Sequence, residues 1–354
     1  MSSKQFTLDR KTFVPALIGA GLCVFLLKSG ILSLFFLVPL GFVAYRCDYK
    51  IAWLTVFSAF IGNLILVLIA AGAGTPFPLI ILDLFYFAIM TFVFTWITAP
   101  PPDLSFNLPG PVRLVAGSCV AAIVFSFTFF KSMESEGFIE YIESFLGALI
   151  SASRSSGIDV VQSAQLEMFS VDALVITIRS VMLRGGSLVS CALLFFICRQ
   201  MSFLIASISQ RMKGFAVQGR NLIFFHVYPQ LIWVFSSSLL LVVFSKAVQI
   251  NALEILLWNI LIICAMLYLA QGLGIVQFFL SRPGTPGFMK MLFGVLFVIL
   301  LFSPFVNMLL LGGIILLGVA ENWVPLRAPK QTRPPSTPEA GDGSKDDPSI
   351  DGSS

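Results

Sequence analysis

Apolar stretches of about 20 residues recur along this chain, separated by short polar or Pro/Gly-rich connections, and they constrain its fold more than any other feature. Ile51–Ala70, Pro78–Ile97, Val112–Phe130, Gln230–Gln249 and Leu253–Leu280 are each long enough to cross the roughly 30 Å hydrocarbon core of a bilayer as an α-helix. Inside lipid the backbone finds no water to bond, so only helices or closed barrels can span. Barrel strands alternate apolar and polar residues. These runs do not alternate, so the expected fold is all-α: a polytopic transmembrane helix bundle of about 8–10 spans. Composition agrees, with 57% hydrophobic and 11% charged residues, whereas soluble domains carry about 25% charged.

The expected organisation is a cytoplasmic amino terminus over 1–12, a membrane domain over 13–320 and a polar, disordered tail over 321–354. The tail is rich in Pro, Ser, Gly and Asp and cannot bury enough surface to offset chain entropy. Both ends of the membrane domain read as short helices. Residues 13–27 and 31–45 turn at Lys28-Ser29-Gly30, because a charge and a glycine are cheap at an interface and costly in mid-bilayer. The 30-residue run Met291–Ala320 is interrupted by Ser303-Pro304, which favours two short helices over one long one. The sixth span begins somewhere between 172 and 186; an early start places Arg179 and Arg184 in the membrane facing partners, a late one places them at the outer interface.

Two connections are longer. Lys131–Asp172 is acidic, and Phe138, Ile139, Ile142, Phe145, Leu146 and Leu149 recur there at helical spacing, as in an amphipathic helix on the bundle or headgroup layer. Arg199–Arg220 is basic, with Arg199, Arg211, Lys213 and Arg220 and no acid. A cytoplasmic amino terminus puts Lys4, Arg10, Lys11, Arg46, Lys50, Arg113, Arg199, Arg211, Lys213, Arg220, Arg282 and Lys290 inside, against Lys28, Lys131, Arg154, Arg179, Arg184 and Lys246 outside. The positive-inside rule selects that orientation and a multi-pass place in a bacterial inner membrane.

Several function classes are disfavoured. Six cysteines lack Cys-x-x-Cys spacing and there is a single histidine, His226, so no haem, zinc or iron cofactor is expected. Nucleophile elbow, phosphate-binding loop and dinucleotide fingerprint are all missing, so an enzyme is not expected. The basic residues sit in loops and form no stripe for nucleic acid.

The candidate ligand-binding residues are the polar side chains within spans: Asp83, Asn259, Gln271 and Asn307. A carboxylate six residues into an apolar helix either faces a polar cavity or lies near the interface and pairs with a neighbouring loop. Amides in spans either line a pocket or fasten helices together. Asn63, Asn251, Glu254 and Gln277 belong to the same polar set.

Three pieces carry a family resemblance: Phe225-His226-Val227-Tyr228-Pro229-Gln230-Leu231-Ile232-Trp233; Asn259 followed by Gln271-Gly272-Leu273-Gly274; and Leu311-Gly312 with Glu321-Asn322-Trp323 to Arg327. In this order, over residues 220–327, the chain resembles the YybS-like family of uncharacterised bacterial polytopic membrane proteins. The resemblance implies a helical membrane fold, with distant similarity to the substrate-binding membrane subunits of energy-coupling-factor vitamin transporters. The expected function is small-solute binding or transport, with a small-molecule ligand. The alternative is a non-transporting scaffold or envelope regulator with membrane-protein partners.

Overall fold

A computed structural model describes residues 10–72, 77–102, 108–134, 171–211, 222–248, 251–282, 286–303 and 306–327, with a few isolated positions between 140 and 151. Among the described residues the regular structure is entirely helical. The amphipathic helix expected at 138–149, most of the acidic segment, residues 212–221 of the basic loop, and 328–354 lie outside them.

Helix α1 (Arg10–Leu27) leads into a turn at Lys28–Gly30, where Gly30 takes φ 67°, the left-handed region that a side chain disfavours. A 3₁₀ segment, Gly30–Phe35, and α2 (Val38–Arg46) return towards the start of α1. The steeper 3₁₀ rise lets these 6 and 9 helical residues reach about 25 Å. Helices α3 (Tyr49–Gly72), α4 (Phe77–Thr98) and α5 (Gly110–Met133) follow as full-length antiparallel spans.

The helical segment that carries the next span starts at Val171. Helix α6 (Val171–Val181) passes through a π-helical bulge, Met182–Gly186, into α7 (Ser187–Arg211). Gly185 makes the bulge feasible: its φ is 111°, and a Cβ there would collide with the Ile262 side chain. Helix α8 (Leu231–Val248) precedes α9 (Asn251–Leu280), whose 30 residues extend about 45 Å. The run from 287 to 320 is divided, α10 (Gly287–Phe302) and α11 (Val306–Ala320), with the break after Ser303.

Among the described residues, five helices are long and apolar enough to cross a membrane, and Phe13–Leu27, Leu32–Arg46, Leu231–Ser245 and Val306–Ala320 are shorter apolar ones. Their outward faces are apolar too. Ile123, Leu240, Met308 and Phe57 are all more than half exposed, a pattern suited to acyl chains and costly in water. The inward faces of α1 to α5 and of α7 converge on one packed core, including Cys23, Leu37, Phe87, Met90, Phe94 and Phe195. A second core gathers Phe225 and Val227, from the non-helical stretch before α8, with Tyr268 of α9 and Val319 of α11.

Small residues set the close approaches between helices, as expected where lipid supplies no hydrophobic drive. A Cβ on Gly41 would strike Ser202, and one on Gly117 would come 2.7 Å from Ile97 Cδ1. Helices α9 and α11 meet more tightly still: a Cβ on Gly272 would meet the Ile314 carbonyl oxygen, and one on Gly318 the Tyr268 carbonyl oxygen.

Candidate functional site

The paired charged side chains fall into two belts, one at each end of the bundle. At the far end, opposite the start of α1, Lys28 Nζ donates to Asp83 Oδ2 at 2.7 Å, joining the α1 turn to α4. Lys131, in the last turn of α5, pairs with Glu134 at its carboxyl-terminal cap, and that hydrogen bond, with the lysine charge, holds the Glu134 carboxyl below its ordinary range. Arg179 lies over the Phe130 ring, and Arg184 pairs with Glu254 at 3.4 Å, tying the bulge to α9. At the near end, Arg199 donates to the Tyr45 hydroxyl at 3.2 Å, and Trp53 Nε1 donates to the Ala99 carbonyl at 3.1 Å.

The densest polar site belongs to the near belt. The chain leaves a 3₁₀ turn at Leu222–Phe224 and runs without helix to α8, laid along α9. Its backbone groups therefore need partners from side chains. Gln277 Oε1 accepts from the Leu222 amide at 3.0 Å, and Gln271 Oε1 accepts from the Val227 amide at 2.8 Å. Arg327 reaches back from beyond α11 to donate to the carbonyls of Leu222, Ile223 and Phe225, at 3.4, 2.5 and 2.9 Å. Its charge is balanced by Glu321: Nε donates to Oε1 at 2.6 Å and Nη2 to Oε2. Gln271 Nε2 completes the clamp by donating to Glu321 Oε2 at 2.9 Å and to the Gly318 carbonyl at 3.1 Å. The Arg327 and Glu321 side chains are only 6% and 4% exposed. Gly274 admits the arginine, because a Cβ there would stand 3.1 Å from Arg327 Nη1 and against the Leu222 carbonyl.

The spacing of the two belts matches a bilayer. From Glu254, paired with Arg184, to Gly274, beside Arg327, is 20 residues of one helix, about 30 Å. A hydrocarbon layer of that thickness fits between the clamp and the Arg184–Glu254 pair.

The four candidate ligand residues do not meet. Asp83 belongs to the far belt, where it borders a cleft of about 280 Å³ with Tyr86, Phe125 and Thr128. Asn259 donates to the Leu183 and Ile255 carbonyls, both at 2.8 Å, securing the π bulge on α9. Gln271 belongs to the clamp, and Asn307 sits half-buried in the first turn of α11. Asn63 is fully buried on α3, and neither of its amide atoms has a hydrogen-bond partner in the structure. Among the described residues no group of three His, Cys, Asp or Glu is placed to hold a metal.

Glu321 and Arg327 lie at the start of the stretch expected to be the polar tail, 321–354. Residues 321–327 fold back onto α9, and two of their side chains are among the most enclosed charges of the bundle. A charge pair six residues apart, just past an apolar run, was the available signal; its partners, 50 and 102 to 105 residues earlier in the chain, were not.

Fold and polar belts together define a polytopic α-helical integral membrane protein. Comparisons with protein-family models, with curated proteins and with solved structures return no match for the chain.

Proposed function

We propose that this protein is a membrane-embedded scaffold whose polar side chains fasten its helices and whose two ends engage membrane-protein partners. The observation that carries the reading is the separate use of the polar set: Asp83 is spent on Lys28, Asn259 on the bulge, and Gln271 on the clamp. A carrier would be expected to gather such groups around one space near mid-bilayer. In this reading the near end faces the cytoplasm of a bacterial inner membrane, since Arg46, Lys50, Arg113, Arg199 and Arg282 belong to it. Likeness to the YybS-like family is part of the proposal, supported by the way Val227, Gln271, Glu321 and Arg327, all within the resembling stretches, meet in one clamp.

Tyr228 and Trp233 are 82% and 76% exposed beside that clamp and are natural contact points. A photo-crosslinking amino acid at each position, activated in native membranes, should give the same discrete adduct in replicate cultures. Adducts to lipid alone from both positions would remove the scaffold reading.

A second reading, a small-solute binding or transport component, draws on one feature. Non-helical backbone lies along α9 beside His226, whose Nε2 is 3.8 Å from Glu321 Oε1 with its ring largely exposed; transporters use interrupted helices in this way. Thermal unfolding of the purified protein across a vitamin and metabolite panel tests it. A specific upward shift supports solute binding, and a flat panel with folded protein excludes those solutes.

A further inference from the structure

A long apolar cleft between α1, α2 and α7 takes no part in either polar belt's fastening. It encloses about 840 Å³, and its walls include Val14, Ile18, Leu22, Phe35, Phe42 and Met201. From Val14 to Leu26 it follows α1 for 12 residues, about 18 Å, slightly more than one leaflet of a roughly 30 Å hydrocarbon core. Its rim residues Val14, Ile18, Leu22 and Met201 are 39 to 59% exposed, so the cleft opens sideways, where lipid lies. Its floor is already tight, since a Cβ on Gly19 would come 2.9 Å from Val43 Cγ2. Closer packing of α1 on α2 cannot remove the space.

The near end of the cleft is charged. Arg46 lines it, with its guanidinium carbon 5.6 Å from the centroid of the Phe42 ring, which continues the apolar wall inward. Arg10 and Lys11 open α1 within about one turn of Val14, and Lys50 lies in the first turn of α3. Asp48 stands between Arg46 and Lys50 in the chain, so the described charges beside the mouth are net basic. An apolar groove one leaflet deep with a cationic mouth matches an acyl chain attached to an anionic headgroup.

We propose that this cleft binds an anionic phospholipid, with an acyl chain along α1 and the phosphate at Arg46. The site is independent of the scaffold and carrier readings, and its test does not touch the clamp.

Full-length protein in mild detergent is exposed to equal amounts of phosphatidylglycerol and phosphatidylcholine with matched chains, and retained lipid is counted by native mass spectrometry. Wild type should retain phosphatidylglycerol preferentially. Arg46→Gln should lower that preference about fivefold, the effect of one basic residue at an anionic surface, while Arg46→Lys keeps it. Ile18→Trp, which fills the groove, should lower retention of both lipids with the unfolding midpoint maintained. Equal retention by wild type overturns the proposal, as does a preference that survives Arg46→Gln or lipid counts undiminished in a folded Ile18→Trp protein.

Discussion

Removing Arg327 should be among the most damaging single changes to this protein. The guanidinium donates to Glu321 through two nitrogens and to three backbone carbonyls of residues 222–225. Both charged side chains are over nine-tenths buried, so solvent does little to screen the pair. Arg327→Ala strands a buried carboxylate, and breaking a buried pair in this way costs about 3–5 kcal/mol. At about 1.4 kcal/mol per tenfold, the opening constant of the clamp rises roughly a hundred- to several-thousand-fold. Glu321→Ala should cost a comparable amount by stranding the cation. The double substitution should cost clearly less than the sum of the two, because neither charge is then left alone. Hydrogen exchange in detergent micelles reads this directly: the Leu222 and Val227 amides, bonded to Gln277 and Gln271, should lose protection in both single variants and recover part of it in the double. Unchanged protection in Arg327→Ala, or costs that simply add, would refute the clamp as derived.

Four further outcomes follow from the packing and the belts. Gly272→Ala and Gly318→Ala should each destabilise by about 1–3 kcal/mol or more, since the added methyl meets backbone oxygen of the facing helix; unfolding in a denaturant series measures it. Gly185→Ala should be harmful through both its φ and the Ile262 contact, and Ile262→Ala should restore only the steric part, read by the same unfolding assay. Asn63→Leu should be neutral or stabilising, because it removes a buried amide without partners; a marked loss of stability would mean that the amide is bonded. The depressed Glu134 carboxyl contributes to stability above its ordinary pKa and loses that contribution as pH falls through the lowered value. Because the pair is exposed the effect is small, and Lys131→Ala should raise the carboxyl's titration midpoint, measured by NMR.

Hydropathy made the bundle readable because each span must satisfy its own backbone, so length and apolarity carry the signal locally. The turn at Lys28–Gly30 and the break near Ser303 were legible for the same reason, as a charge, a glycine and a proline where helix is costly. What the sequence could not display is pairing across distance. Asp83 in an apolar helix suits a polar cavity or pairing near the interface, and the choice rests on Lys28, 55 residues earlier. Gln271 suited either a pocket or a helix-fastening role; its partners are a backbone amide 44 residues before it and a carboxylate 50 residues after it. Glu321 and Arg327 were assigned to the tail because local polarity rises there. Only the fold reveals that non-helical backbone at residues 222–227 needs those groups.

Site-directed labelling along α9 tests the two-belt account most directly. Single cysteines at Glu254, Asn259, Gln271 and Arg282, in a chain otherwise free of cysteine, are exposed to a membrane-impermeant maleimide from each side of sealed vesicles. Position 254 should react from one side, position 282 from the other, and 259 and 271 from neither. Reaction of 259 or 271 from both sides would reveal a water-filled path through the bundle and contradict the account.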